Sequence, residues 1–438
     1  LKPFFLSQAR SEAASPLSMG VVHRGHAFRP GLAVIAGLSV CTGAAGGWHD
    51  PSPDVKPNPS CDPASVTPLI KEPRDVTELH PAHLKYAMAL GDSITAAALA
   101  KGQPFEFRRI SWSGGSGGPD SFTMPYFVKQ YSGSLVGPSV GSLQLPQLGT
   151  CCGRAPWWST VFGGDDQLNT ALSGGLSHDW KLEVQHLTNL VTGKGFGWDR
   201  LGGFPKWSQE QQDDYKNSWK VLTVFLGMND VLTSMGACSS NETQRDGIVA
   251  AFNTTMTALF EHLVTDEDGV FQKLYVNLGT LFCISQMGLE NARHGWCEIS
   301  GETFLKNEFP CMRSGGDIEA KGELVDALTV RLNDVLEGLA AEYDQKRPDF
   351  GVNLVQTMRN QQVDHQDLRS PLDCFHPTEK AHRIMGTGLW NAMLQPSRPQ
   401  RLDDQLRMPA CATAETRLVT YKRAAAWPPA QEQGNVLV

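Results

Sequence analysis

The sequence predicts an α/β protein, a three-layer α/β/α sandwich around a mostly parallel sheet, and three observations carry that prediction. Four short apolar runs read as buried parallel strands: YAMAL from Tyr86, VLTVFLG from Val221, KLYVNLGTL from Lys273 and GVNLVQ from Gly351. Helix-like patterns follow or separate them, the clearest over residues 323–343, where Leu324, Leu328, Leu332, Leu336 and Leu339 mark one face. Finally, no internal repeat interrupts the alternation. In sheets built this way, reactive groups gather at the carboxyl ends of the strands.

Residues 1–47 read as an upstream extension followed by a secretory signal. Met19 is the expected start; Arg24 and Arg29 precede the apolar run Leu32–Val40, and small residues follow. That run falls short of the roughly 20 residues that span a bilayer. Residues 48–69, rich in Pro, Ser and Asp, form a linker, and 70–396 form a single folded domain. Within it, about 131–218 reads as a long irregular insertion containing CCGRAPWW, and 397–438 as a tail on or off the surface.

Composition narrows the function classes. The chain has 438 residues, 41% of them hydrophobic and 19% charged, enough for a packed core. With 46 acidic against 38 basic side chains it has no global cationic field, so nucleic acid is excluded as the expected partner. Ten cysteines fit an oxidising compartment. Cys41 is expected to leave with the leader, which leaves an odd number, with one free or paired between chains. Their spacing does not resemble a zinc site. The sequons at Asn241 and Asn253 would be glycosylated in the secretory pathway, and the expected location is secreted or lumenal.

Three short stretches could carry chemistry. In ALGDSITAA, residues 89–97, the strand breaks at Gly91, Asp92 and Ser93 before an alanine-rich segment read as a helix. Asp92 or Ser93 could cap that helix, or Ser93 could be a nucleophile presented at the strand end. In VFLGMND, Asn229 could form a turn, or its amide could donate to a developing oxyanion. In LDCFHPTEKAH, Asp373 and His376 fit either a helix cap beside a surface histidine or a carboxylate that fixes the imidazole tautomer.

Taken together, the three blocks resemble the GDSL, or SGNH, hydrolase family, and within it the phospholipase B branch. The likeness rests on ALGDSITAA, SWSGGSGG from Ser111, FLGMNDV, DCFHPTEKAH and GLWNAML from Gly388, spanning much of residues 85–395. It implies a flavodoxin-like SGNH-hydrolase sheet, with Ser93 as nucleophile, His376 as general base and then acid, and Asp373 as the orienting carboxylate. It implies an oxyanion hole made by the Ser93 amide, the Asn229 side chain and a glycine amide, assigned to Gly115 with Gly114 as the alternative register. Asp92 would brace the turn. The implied activity is a secreted serine ester hydrolase releasing fatty acids from phospholipids and lysophospholipids, acting on a lipid ester at a membrane surface. The mechanism requires no cofactor or metal.

Other readings stand beside it. Gly114-Gly-Ser116-Gly-Gly118 matches a nucleophile elbow, which would move the nucleophile to Ser116 or leave this stretch as an oxyanion loop. Asp364, His365 and Asp367 could bind a metal or form a solvated loop. Trp157, Trp158 and Phe162 could meet an acyl chain or belong to the core. The alternatives in function are an acyl esterase of carbohydrates or other small esters, and a non-catalytic lipid- or glycan-binding protein on the same fold. Subsites for substrate and the oligomeric state are not readable from the sequence.

Overall fold

The apolar runs become four parallel strands, β1 (Leu84–Gly91), β4 (Trp219–Phe225), β5 (Leu274–Gly279) and β6 (Phe350–Val355), hydrogen-bonded in that order. Two short antiparallel strands, β2 (Phe105–Glu106) and β3 (Leu143–Gln144), make a separate ribbon. Every residue of β4, β5 and β6 is buried, as expected for strands covered on both faces. Gly91 pairs with Phe225, and Gly279 with Val355, so the carboxyl ends form one level edge. The computed structural model describes residues 41, 54–56, 58–144, 167–193, 207–265, 267–294, 310–312, 314–363, 365–397 and 408–426. All of them fall in one compact unit, Ser39–Val438.

Helices flank the sheet. In chain order they are α1 (Pro63–Val66), α2 (Met124–Tyr131), α3 (Trp180–Thr192), α4 (Gln209–Asn217), α5 (Met228–Leu232), α6 (Glu242–Thr265), α7 (Ser285–His294), α8 (Ile318–Tyr343), α9 (Glu379–Leu394) and α10 (Tyr421–Ala425). The leucine-striped helix is α8: Asp317 caps it by accepting from the Glu319 and Ala320 amides, and Leu328, Leu332, Leu336 and Leu339 are buried. Val325, not Leu324, continues that stripe. α8 packs against α6 and β6, while α9 packs against α2 and β6.

The stretch 131–218 is not simply an insertion. The outer edge of β1 is paired by two separate pieces of it: Val136 exchanges hydrogen bonds with Lys85 and Ala87, and residues 168–172 run parallel to Ala89–Gly91. The Leu168 amide donates to Gly137 O, joining the two pieces end to end. Counted as one broken strand, they give a doubly wound 2-1-3-4-5 order. α3 then packs on β1. Neither piece is a continuous apolar run, which is why periodicity does not reveal them. CCGRAPWW, Trp157, Trp158 and Phe162 lie outside the described residues.

The linker and tail are also more integrated than expected. Leu418, Val419 and Thr420 are buried, Leu418 N–H donates to Leu79 O, and Tyr275 Oη donates to Val419 O at 2.6 Å. Cys61 of the linker is disulfide-bonded to Cys411 of the tail. Cys238 pairs with Cys311, and Cys41, a residue of the expected leader, pairs with Cys283. Cys374 is disulfide-bonded too, and no described cysteine is free. Apart from Cys41, residues 1–47 lie outside the described residues, as do Cys151, Cys152 and Cys297. No helix among the described residues is long and apolar enough to cross a membrane.

Candidate active site

The site begins where β1 ends. A Cβ at Gly91 would fall on Thr95 Oγ1 and come 2.8 Å from the Phe225 carbonyl, so only glycine lets the chain turn here. Asp92 Oδ1 accepts from the Ile94 amide at 2.9 Å, closing an Asx-type turn around Ser93. Both Asp92 and Ser93 are buried. Burial pushes the Asp92 carboxyl up to about 7, opposed by the Ile94 amide and by the charge of His376.

No helix follows Ser93, contrary to the expectation from the alanines. Residues 93–97 and 99–101 are turns, and Ala97 and Leu99 are left-handed, with φ of 53° and 59°. The Leu99 amide donates to Phe105 O and the Phe107 amide to Ala97 O, so pairing with the β2 segment overrides alanine's helix propensity. Helix-dipole assistance to Ser93 is therefore absent.

Asp373 and His376 meet in one tight turn. His376 Nδ1 is hydrogen-bonded to Asp373 Oδ2, while Asp373 Oδ1 accepts from the Phe375 and His376 amides, each at 3.1 Å. Ser370 clamps the turn: its carbonyl accepts from the Cys374 amide at 2.8 Å, and its own amide donates to His376 O at 2.7 Å. Both Asp373 and His376 are buried. Asp373 does not cap the helix, because Thr378 does, its hydroxyl accepting from Ala381 N. With Nδ1 facing the carboxylate, Nε2 is the nitrogen left for proton exchange. The Glu379 amide donates to Ala100 O at 2.9 Å, which joins this turn to the loop that carries Ser93.

Asn229 is buried in α5, just beyond Gly227, whose φ of 120° takes β4 into the helix. Its Nδ2 donates to Gly175 O at 2.8 Å, so the amide braces the broken strand beside β1 and keeps a second N–H. The glycine assignment differs from expectation. The Gly115 amide is spent on Ser111 O at 3.0 Å and the Gly114 amide on Ser111 Oγ at 3.2 Å. Gly174, with φ of 79°, follows residues 168–172 to the β1 edge, and its N–H has no partner among the described residues.

Ser116 does not sit on an elbow: the preceding residues Arg108–Ile110 form a 3-10 turn, not a strand. Asp364 lies outside the described residues, and Asp367 is in an ion pair with Lys380 at 2.7 Å. Among the described residues the only cluster of potential metal ligands is Cys41, Cys283 and Asp326, and its two sulfurs are joined to each other. Asp326 instead accepts from the Ile284 and Ser285 amides at the start of α7.

Two supports escaped the sequence reading. Arg108 is buried, ion-paired with Glu106 at 2.8 Å, and donates to Asn169 O and Ala171 O at 2.8 and 2.7 Å, fixing the broken strand. Glu183 of α3 is fully buried and accepts from the Gly91 amide at 2.7 Å. A signal for Glu183 existed, since it falls inside the helix's apolar stripe of Trp180, Val184, Leu187 and Val191.

A family model for GDSL-like lipase/acylhydrolase matches residues 88–389, from inside β1 to inside α9. The chain belongs to this family. Among curated proteins it is similar to "Phospholipase B1, membrane-associated" of Mus musculus, 23% identical over 348 residues, which cover 75% of this chain and 20% of that protein. The proteins of the same name in Rattus norvegicus and Homo sapiens are 24% and 25% identical over 351 and 347 residues, covering 75% and 74% of this chain. The chain spans about a fifth of the length of these relatives.

Proposed function

We propose that this acylhydrolase releases fatty acids from phospholipids and lysophospholipids by a serine mechanism in a secreted or lumenal setting. The observation that carries the reading is the buried Asp373–His376 pair, tied through Glu379 and Ala100 to the turn that holds Ser93. Ser93 attacks the ester carbonyl while His376 Nε2 takes its proton; Asp373 holds the tautomer and stabilises the imidazolium. The alkoxide leaving group then receives that proton from His376, and water repeats the sequence on the acyl-enzyme. The tetrahedral oxyanion is held by the Ser93 amide, the second N–H of Asn229 and the Gly174 amide, each donor worth about 3 kcal/mol.

The lipid substrate is supported by the likeness to phospholipase B1, and an oxidising setting by the disulfides. Asn241 and Asn253 are exposed on and beside α6, as glycan acceptors must be. The test is intact-mass analysis after treatment with a fluorophosphonate, with peptide mapping, followed by turnover of phospholipid, lysophospholipid and acylated-sugar esters. An adduct on Ser93 with preference for the lipids is expected. An adduct on Ser116, or none on folded protein, overturns the site, and preference for the sugar esters overturns the substrate.

A further inference from the structure

Behind the Ser93 turn lies a second carboxyl that the serine mechanism does not use. Glu183 reaches from α3 to the last residue of β1: Oε2 accepts from the Gly91 amide at 2.7 Å, two residues before Ser93. Its other oxygen, Oε1, is buried with no hydrogen-bond partner among the described residues, and so is Asp92 Oδ2. A buried carboxylate left in that state costs several kcal/mol, whereas a shared proton satisfies both oxygens. We propose that Glu183 is a positioning residue for Ser93, holding the Gly91 amide with one oxygen and offering the proton of a neutral carboxylic acid to Asp92 with the other.

The charged groups facing Glu183 favour that state. Asp92 on the β1 turn and Asp179 at the start of α3 are acidic neighbours, and the cation that acts on it, Arg108, is ion-paired with Glu106. Burial foremost, then Asp92 and Asp179, hold Glu183 well above the usual carboxylate range, against the Gly91 amide and Arg108. Once pH rises far enough to remove the shared proton, two adjacent buried carboxylates repel, and the turn carrying Ser93 must shift. Activity should then fall on the alkaline side as the shared proton is lost.

This rests on Ser93 being the nucleophile, so the experiment reads both. Wild type, Glu183→Gln and Glu183→Ala are compared for kcat and KM on a soluble short-chain ester from pH 5 to 10, with thermal melts and Ser93 labelling by a fluorophosphonate. Glu183→Gln keeps an acceptor for Gly91 and a permanent donor for Asp92, so it should keep kcat at neutral pH and lose the alkaline decline. Glu183→Ala should lower kcat roughly tenfold to a hundredfold with KM little changed, the signature of a misplaced nucleophile. Coincident wild-type and Glu183→Gln profiles, with Ser93 labelled, overturn the role of Glu183 alone. A folded Glu183→Gln as impaired as Glu183→Ala shows that the carboxylate is required and overturns it likewise. Absence of any Ser93 adduct on folded wild type overturns the mechanism and this inference together.

Discussion

The two turns that meet at the site are built in opposite ways. After β1, the chain passes through successive turns with left-handed Ala97 and Leu99, and its buried groups are acids, Asp92 and Glu183, which burial keeps from ionising. Before α9, the chain makes one clamped turn into a capped helix, and its extra buried group is a base. His382 is fully buried, and burial, helped by the charge of His376, holds it down to about 3, so it stays uncharged. The difference teaches that the same low dielectric disfavours charge of either sign on Asp92, Glu183 and His382. Asp373, by contrast, has its burial offset by hydrogen bonds, since it accepts from two amides and faces the imidazole.

The largest effect comes from removing the reactive group of the first turn. Ser93→Ala should reduce ester hydrolysis by roughly four orders of magnitude or more while the melting temperature stays near wild type. Turnover above a hundredth of wild type in purified, folded protein would place the chemistry elsewhere. His376→Ala should be of the same order, and the double variant no worse than either single one, because the two act as a unit.

Next comes the contrast of buried acid and buried base, read as stability against pH. Asp92 is held up to about 7, so its contribution to stability is complete below about pH 4 and is lost as pH rises to 7, about 4 kcal/mol across that window. His382 has the opposite sign: its contribution is complete above about pH 6.5 and is lost as pH falls toward 3. Asp92→Asn should therefore raise the melting temperature at pH 7 relative to pH 4, and His382→Leu should lift it at the acid end. Melts from pH 4 to 8 that tilt both variants the same way would refute the contrast.

Asn229→Ala tests the brace between β4 and the broken strand. Loss of one oxyanion donor costs roughly a hundredfold in turnover, about 3 kcal/mol, with KM little changed. Because Asn229 also holds Gly175 O, the substitution should loosen residues 168–175, visible as faster amide exchange there. Full turnover would reduce Asn229 to a structural residue.

How legible all this was in the sequence depends on whether the information is local. The four central strands are continuous apolar runs, and Ser93, Asn229 and the Asp373–His376 pair stand in short blocks at or beside strand ends, so pattern and motif suffice. The fifth strand is two fragments joined by the Leu168–Gly137 bond, and nothing local links them, so the motif points to Gly115 and not to Gly174, the glycine proposed above. Glu183 and Arg108 matter through contacts with backbone 61 to 92 positions away. The tail docks through Leu418 and Val419, two apolar residues in a polar stretch that only the completed sheet can bury.

The smallest effect addresses the helix that does not form. Ala97 is buried with φ of 53°, a conformation that costs an alanine about 1–2 kcal/mol and a glycine almost nothing. Glycine also frees the unfolded chain, by up to about 1 kcal/mol, and removes one buried methyl, worth about 0.8 kcal/mol. Ala97→Gly should therefore leave stability within about 1 kcal/mol of wild type. In a helical segment the same change would forgo the strain relief and cost the full propensity and methyl terms, near 2 kcal/mol. Gly227, at the equivalent exit of β4, supplies the control: its φ is 120°, and a Cβ there would stand 2.8 Å from Phe252 Cε2, so Gly227→Ala must destabilise clearly. Urea unfolding of the two variants side by side reads the conformation of each strand exit directly. A large loss for Ala97→Gly would mean that the alanines after Ser93 are helical after all.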